Sequence, residues 1–142
     1  LGWTRLSQTE RTQGSTMAVK QDVRLLNENV IHYTVEKPLR EIIQKRGLDG
    51  ASIDYFLPHY SSAFFRERVR AGLQAVDFDI PFERWFSNLA TCGNTGAASI
   101  YIMLEALYRT GDLRTGDRIL CYIPESGRFS SGFMLLTVHS SR

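Results

Sequence analysis

The sequence predicts an α/β domain, and three observations predict it. Short apolar runs that stop at Pro, Gly or Asp alternate with segments whose apolar residues recur every three or four positions. The last two apolar runs follow each other with only a turn-rich link between them, which makes them an antiparallel pair in a sheet otherwise joined by helical crossovers. The 142 residues, 43% apolar and 23% charged, suffice for one domain with a core of its own.

The elements follow in order. A first strand is predicted near residues 2–6, and the stretch SQTERTQGST after it is polar and loop-like. From residue 22 to 46 the pattern is helical. Ile31, Val35, Leu39, Ile42 and Ile43 share one face, and Glu36 with Arg40 and Lys37 with Glu41 stand four apart on the polar side. Lys45 and Arg46 suit the negative end of the helix dipole and Gly47 suits its cap. Pro38 either kinks this helix or opens a second one. Residues 53–57 (IDYFL) form a short strand ended by Pro58. Ser61 or Ser62 can cap a helix over residues 63–76, with Phe65, Val69, Leu73 and Val76 inside. A strand is expected near residues 84–87. TCGNTG then leads into a helix of about four turns, and strands follow at 118–123 (RILCYI) and 133–138 (FMLLTV).

The helix after Asn94 is apolar nearly all round, with only Glu105 and Arg109 charged. A surface helix needs one apolar stripe. RILCYI and FMLLTV are near-continuous apolar runs, as in strands covered on both faces. A sheet of four or five strands cannot wrap that helix on every side. It asks for a further layer from outside the chain, or for a place in the middle of a three-layer domain.

Three loops carry the chemistry. LPHYSS, TCGNTG and PESGRFSSG lie at strand ends, where ligands gather in α/β sheets. They offer the His59 imidazole, the Asn94 amide and glycine-flanked backbone N–H groups, which are donors able to converge on one oxygen. Each has a structural reading as well: a histidine closing a strand, an asparagine capping a helix, a hairpin link. Their order and spacing are more specific than any one of them. Cys92, near a helix N-terminus that favours thiolate, reads as structural, and Cys121 as core.

Composition narrows the function class. The net charge of +2 comes from 17 basic and 15 acidic residues that are intermixed, so neither nucleic acid nor an anionic membrane is indicated as partner. No apolar run approaches the ~20 residues of a membrane span. Two cysteines without ligand spacing or a disulfide framework make a reducing cytoplasm the expected compartment. The opening LGWTRL, without Met or a signal peptide, is consistent with a piece of a longer protein.

At these motifs the chain resembles the C-terminal half of a β-ketoacyl-carrier-protein synthase III, in the thiolase superfamily. Leu57-Pro58-His59-Tyr60-Ser61-Ser62 stands where that family has V-P-H-Q-A-N. About 35 residues on, Gly93 to Ser99 read G-N-T-G-A-A-S against G-N-T-S-A-A-S. Gly116 and Asp117 precede a strand, and Ser126 to Gly132 read S-G-R-F-S-S-G against G-G-G-F-T-W-G. The likeness covers essentially all of residues 1–142, about half of a full enzyme.

The resemblance implies a thiolase-like half: a mixed five-stranded sheet, helices on both faces, the last strand antiparallel. It implies decarboxylative Claisen condensation of an acyl thioester with a malonyl-type thioester, the substrates being thioesters of CoA or acyl carrier protein and no cofactor being needed. The nucleophilic cysteine belongs to the N-terminal half, outside this chain. His59 and Asn94 match the donors that stabilise the enolate, and Gly127 matches the backbone donor to the acyl-enzyme oxyanion. Tyr60, Arg128 and Phe129 fall at the substrate pocket, where H-Y-S-S and S-G-R-F-S-S-G depart from the family pattern and leave the acyl chain open. The implied partners are the N-terminal half and a second copy in a homodimer, and secondary-metabolite synthases are plausible relatives. The alternative is a non-catalytic subunit or pseudo-enzyme half that stabilises or shapes a catalytic partner.

Overall fold

The computed structural model describes residues 4–5 and 20–140. The stretch SQTERTQGST lies outside them, and of the strand expected at residues 2–6 only β1 (Thr4–Arg5) is described. It pairs antiparallel with β2 (Lys20–Gln21) in a separate two-stranded ribbon. Among the described residues the main sheet has three strands in the order β3 (Tyr55–Pro58), β4 (Arg118–Glu125), β5 (Ser130–Thr137). β3 runs parallel to β4 and β5 antiparallel to it, so the mixed character and the direction of the last strand are as expected.

The count of five strands is corrected to three. The strand expected at 84–87 shrinks to one parallel bridge, Phe56 with Trp85, and one further bond from the Phe86 N–H to the Phe56 carbonyl at 2.9 Å. The reason is local. A 3-10 turn, Phe82–Arg84, leads in after Pro81, and the short helix α4 (Leu89–Cys92) follows at once. Trp85 is held instead by its ring, edge-on to Phe56 and Phe82, and by its indole N–H, which donates to the Ile80 carbonyl at 2.8 Å.

Helices cover both faces. α1 (Val23–Ile31) passes through a π turn, His32–Glu36, into α2 (Lys37–Arg46). Pro38 therefore stands in the first turn of a second segment, where its missing N–H costs nothing. In an unbroken α-helix its ring would press on the Thr34 carbonyl. The π turn absorbs this conflict: the Lys37 N–H reaches back five residues to His32. Asp22 caps α1 through the Leu25 N–H. Gly47 ends α2 in the left-handed region, φ 61°, as the sequence predicts.

α3 (Arg66–Gln74) follows a 3-10 turn, Ala63–Phe65, which Ser62 precedes without a side-chain capping bond. Val35, Leu39, Val69 and Leu73 from this helical layer pack on Phe56, Leu120 and Tyr122. On the opposite pleat, α5 (Ser99–Thr110) lays Ile100, Met103 and Leu107 on Leu57, Ile119 and Cys121. The outer side of α5 is left open: Tyr101 and Tyr108 are 70% and 76% exposed beside the Glu105–Arg109 ion pair. The helix that reads as apolar all round is covered on one side only.

The two layers meet at a buried bond. The Thr34 hydroxyl donates to the Val30 carbonyl at 2.6 Å, and the Tyr122 phenol lies 2.6 Å from the same oxygen. With the Thr34 proton committed to Val30, the phenol is the donor. Thr34→Val would strand a buried O–H and cost about 1–3 kcal/mol, whereas Tyr122→Phe removes the donor and leaves Thr34 satisfied, at under about 1.5 kcal/mol. Denaturant unfolding of both variants checks the order; a costlier Tyr122→Phe would reverse the donor assignment.

Candidate active site

β3 ends at Pro58, yet the ladder continues one bond further. The His59 N–H donates to the Tyr122 carbonyl at 2.9 Å, which ties the histidine backbone to the central strand. The imidazole is half-buried, and burial pushes its pKa below the ordinary 6.5. It therefore stands neutral at pH 7, with one ring N–H to donate.

Asn94 arrives from the other side. α4 stops at Gly93, whose φ of 70° and ψ of −173° belong to glycine. The Asn94 Oδ1 accepts from the Gly96 N–H at 2.9 Å, an Asx turn rather than a cap on α5 itself. That bond fixes the amide flip: oxygen faces the loop, and the two Nδ2 hydrogens are the donors that remain. Thr95 and Ser99 close the loop, the Thr95 N–H donating to the Ser99 hydroxyl at 3.0 Å.

His59 and Asn94 line one cavity of about 500 Å³. Tyr60 and Ser61 continue the wall beside His59, and Gly96 and Ala97 beside Asn94. Leu26, Val30 and Ile31 of α1, with Phe65 and Val69, make the apolar side. The end of β4 and the residue after it, Tyr122 to Ser126, close the rim. The cavity thus opens at the carboxyl ends of the parallel strands, where α/β sheets place their ligands.

The third loop behaves differently. The Gly127 N–H donates to the Glu125 Oε1 at 2.8 Å, and the Arg128 N–H to Oε2 at 3.0 Å. Tyr60 lines the cavity, whereas Arg128 is exposed and Phe129 is buried outside the lining. Phe129 takes a left-handed φ of 53° and stacks on Tyr33 at 5.9 Å. Cys92 is exposed at the end of α4, and Cys121 is buried, its thiol pushed up to about 11. Among the described residues no group of three or more His, Cys, Asp or Glu is placed to hold a metal ion, and no helix is long and apolar enough to cross a membrane.

Sequence reasoning missed Glu125 and the α1 wall. Glu125 reads as a turn residue because its partners are backbone N–H groups two and three positions on. Ile31 reads as plain core because a cavity wall and a core have the same periodicity.

The His59 shift has a pH signature. With the folded pKa lowered, the unfolded chain binds more protons between that value and about 6.5. The contribution to stability is therefore full above about 6.5 and is lost as pH falls toward the folded pKa. NMR titration of the His59 ring should give a midpoint below 6.5. A midpoint at or above that value would mean that the ring is solvated or paired with an anion.

Comparison with known proteins gives the family. Residues 43–134 match the family described as 3-oxoacyl-[acyl-carrier-protein (ACP)] synthase III C terminal. The β-ketoacyl-[acyl-carrier-protein] synthase III of Acholeplasma laidlawii is 30% identical over 119 residues, 82% of this chain and 36% of the relative. The chloroplastic synthase III B of Cuphea wrightii is 35% identical over 85 residues, 60% of this chain and 20% of the relative. Among solved structures, Xanthomonas campestris OleA superposes with a TM-score of 0.72 at 26% identity, over 96% of this chain and 39% of that one. The 3-oxoacyl-(acyl carrier protein) synthase III of Xanthomonas oryzae pv. oryzae gives 0.69 at 28%, over 94% and 38%. The chain thus spans well under half the length of these relatives. It belongs to the 3-oxoacyl-[acyl-carrier-protein] synthase III C-terminal family and carries the thiolase-like fold of its solved members.

Proposed function

We propose that the chain is the C-terminal part of a condensing acyltransferase that joins an acyl thioester to a malonyl-type thioester, in fatty acid or secondary-metabolite synthesis. The observation that carries this is the meeting of His59 and Asn94 on one cavity from loops 35 residues apart.

In this reading a cysteine outside the chain holds the acyl group. The extender enters with its thioester carbonyl toward the two donors. As the carboxylate leaves as carbon dioxide, the electron pair of the broken C–C bond passes into the carbonyl and makes an enolate. One His59 ring N–H and one Asn94 Nδ2–H donate to the enolate oxygen. The enolate carbon attacks the acyl carbonyl, the new C–C bond forms, and the cysteine thiolate departs. Two neutral donors suit this chemistry. They strengthen as negative charge develops and do not hold the uncharged ground state equally well. The thioester arm, from CoA or acyl carrier protein, would lie along the apolar wall of α1.

A second reading has one observation in its favour. The Gly127 N–H, the third donor of the family pattern, is engaged by Glu125. A non-catalytic half that shapes a partner's pocket would tolerate that contact permanently.

In the full-length protein, His59→Ala or Asn94→Ala should slow decarboxylation and condensation about 100- to 1,000-fold, the usual loss of an oxyanion donor, with acyl loading less affected. Timing loading and decarboxylation separately is the measurement; near-normal decarboxylation in both variants would remove the assignment and leave the non-catalytic reading. The 142-residue chain alone should lack condensing activity. It should also self-associate through the open side of α5, since the N-terminal half or a second copy would cover Tyr101 and Tyr108. Light scattering over a dilution series tests this, and a monomer at every concentration that binds no apolar dye would show a self-sufficient surface.

A further inference from the structure

His59 borders two cavities. One is the cavity of about 500 Å³ that it shares with Asn94. The other holds about 10 Å³, and Asn88, Gly93 and Ser99 line it together with His59. That is room for one water molecule. Neither Asn88 nor Ser99 lines the large cavity.

Asn88 has a polar end with no visible task. Its backbone carbonyl opens α4, accepting the Thr91 N–H at 3.1 Å and the Cys92 N–H at 2.8 Å. Its side chain makes no capping bond to that helix. The Nδ2 is buried and has no hydrogen-bond partner among the described residues. A buried donor left unpaired costs its full desolvation, and a water in a polar cavity removes that cost. Two further groups complete the water's partners. The Ser99 hydroxyl accepts the Thr95 N–H at 3.0 Å and lies 3.0 Å from the Thr95 hydroxyl, which leaves it one bonding position. The neutral His59 ring has one N–H and one lone pair. Which nitrogen carries the proton is set by the bond that the other one makes.

We infer that Asn88 is a positioning residue for His59: its Nδ2–H donates to one water in the small cavity, the water donates to the near ring nitrogen, and the far nitrogen carries the proton toward the large cavity. The inference rests on the reading of His59 as an N–H donor to the enolate. The direction of each bond follows from the first. Nδ2 can only donate, so the water accepts there and keeps its own two protons for His59 and Ser99. Ser99 in turn holds Thr95, the residue after Asn94. Both enolate donors then rest on one support.

The test has two arms, both on the full-length protein. In the first, NMR observes the ring nitrogens of isotope-labelled histidine at about pH 8, where the ring is neutral. The unsubstituted protein should show one tautomer, with the proton on the nitrogen farther from Asn88. Asn88→Leu removes the donor at similar bulk, and the two nitrogen signals should draw together as the tautomers mix. Asn88→Ser keeps a donor and should retain the single tautomer. A proton on the near nitrogen, or signals that Asn88→Leu leaves unmoved, would overturn the inference. In the second arm, acyl loading and malonyl-CoA decarboxylation are timed separately. Asn88→Leu should slow decarboxylation roughly two- to tenfold, the net worth of one hydrogen bond, with KM and loading unchanged. In the His59→Ala background it should add nothing, because the ring it orients is gone. Asn88→Val repeats the removal with less bulk where the leucine variant folds poorly. An unchanged rate, loading and decarboxylation slowed alike, or a loss that adds to that of His59→Ala would each overturn the inference and leave Asn88 a packing residue. Failure of the condensing reading itself looks different. His59→Ala and Asn94→Ala would then decarboxylate normally, while the ring signals of the first arm still decide what Asn88 does.

Discussion

Tyr122 is the residue on which the arrangement of the site depends. Its carbonyl accepts the His59 N–H, its phenol donates to Thr34 in the π turn, and its side of β4 forms part of the cavity rim. It is nearly fully buried, and burial holds the phenol well above its ordinary pKa, so it remains a neutral donor at any physiological pH. One residue in the central strand thus fixes the height of the histidine through its backbone carbonyl and ties the α1–α2 layer to the sheet through its side chain. Because β4 is paired on both edges, its register cannot slip by a residue without turning Leu120 and Tyr122 to the face that Ile119 and Cys121 occupy. The histidine is therefore as fixed as the sheet.

The π turn gains a purpose from the same contacts. Pro38 forbids a regular helix at Thr34, and the wider turn that results brings Tyr33 over Phe129 and Thr34 onto Tyr122. A straight helix would rotate these residues by a fraction of a turn and lose one contact or both. π turns occur often at functional sites. This one supports two walls of the cavity, the end of β4 and the β4–β5 turn, without itself entering it.

Much of this was legible in the sequence. The helical face of Val35 and Leu39, the Gly47 cap and the antiparallel pairing of the last two strands follow from local rules of period and capping, whereas the motifs around His59 and Asn94 were legible through their resemblance to a family pattern. The unread part is of two kinds. Trp85–Phe86 has the composition of a strand, but Pro81 in front and α4 behind leave room for a single bridge, and spacing to the next element is not visible in composition. The Glu125 contacts run from a side chain to backbone N–H groups, which every residue but proline has, so no residue type marks them in advance.

The site's electrostatics follow from these placements. In the β4–β5 turn the Gly127 and Arg128 N–H groups are held by the Glu125 carboxylate, and of these three residues only Glu125 lines the cavity. The polar side chains that the residue after β3 and the loop before α5 bring to that cavity are a neutral imidazole and a neutral amide. Neither carries a full positive charge, so what each can offer an oxygen is a hydrogen bond, which strengthens with the negative charge that the oxygen carries.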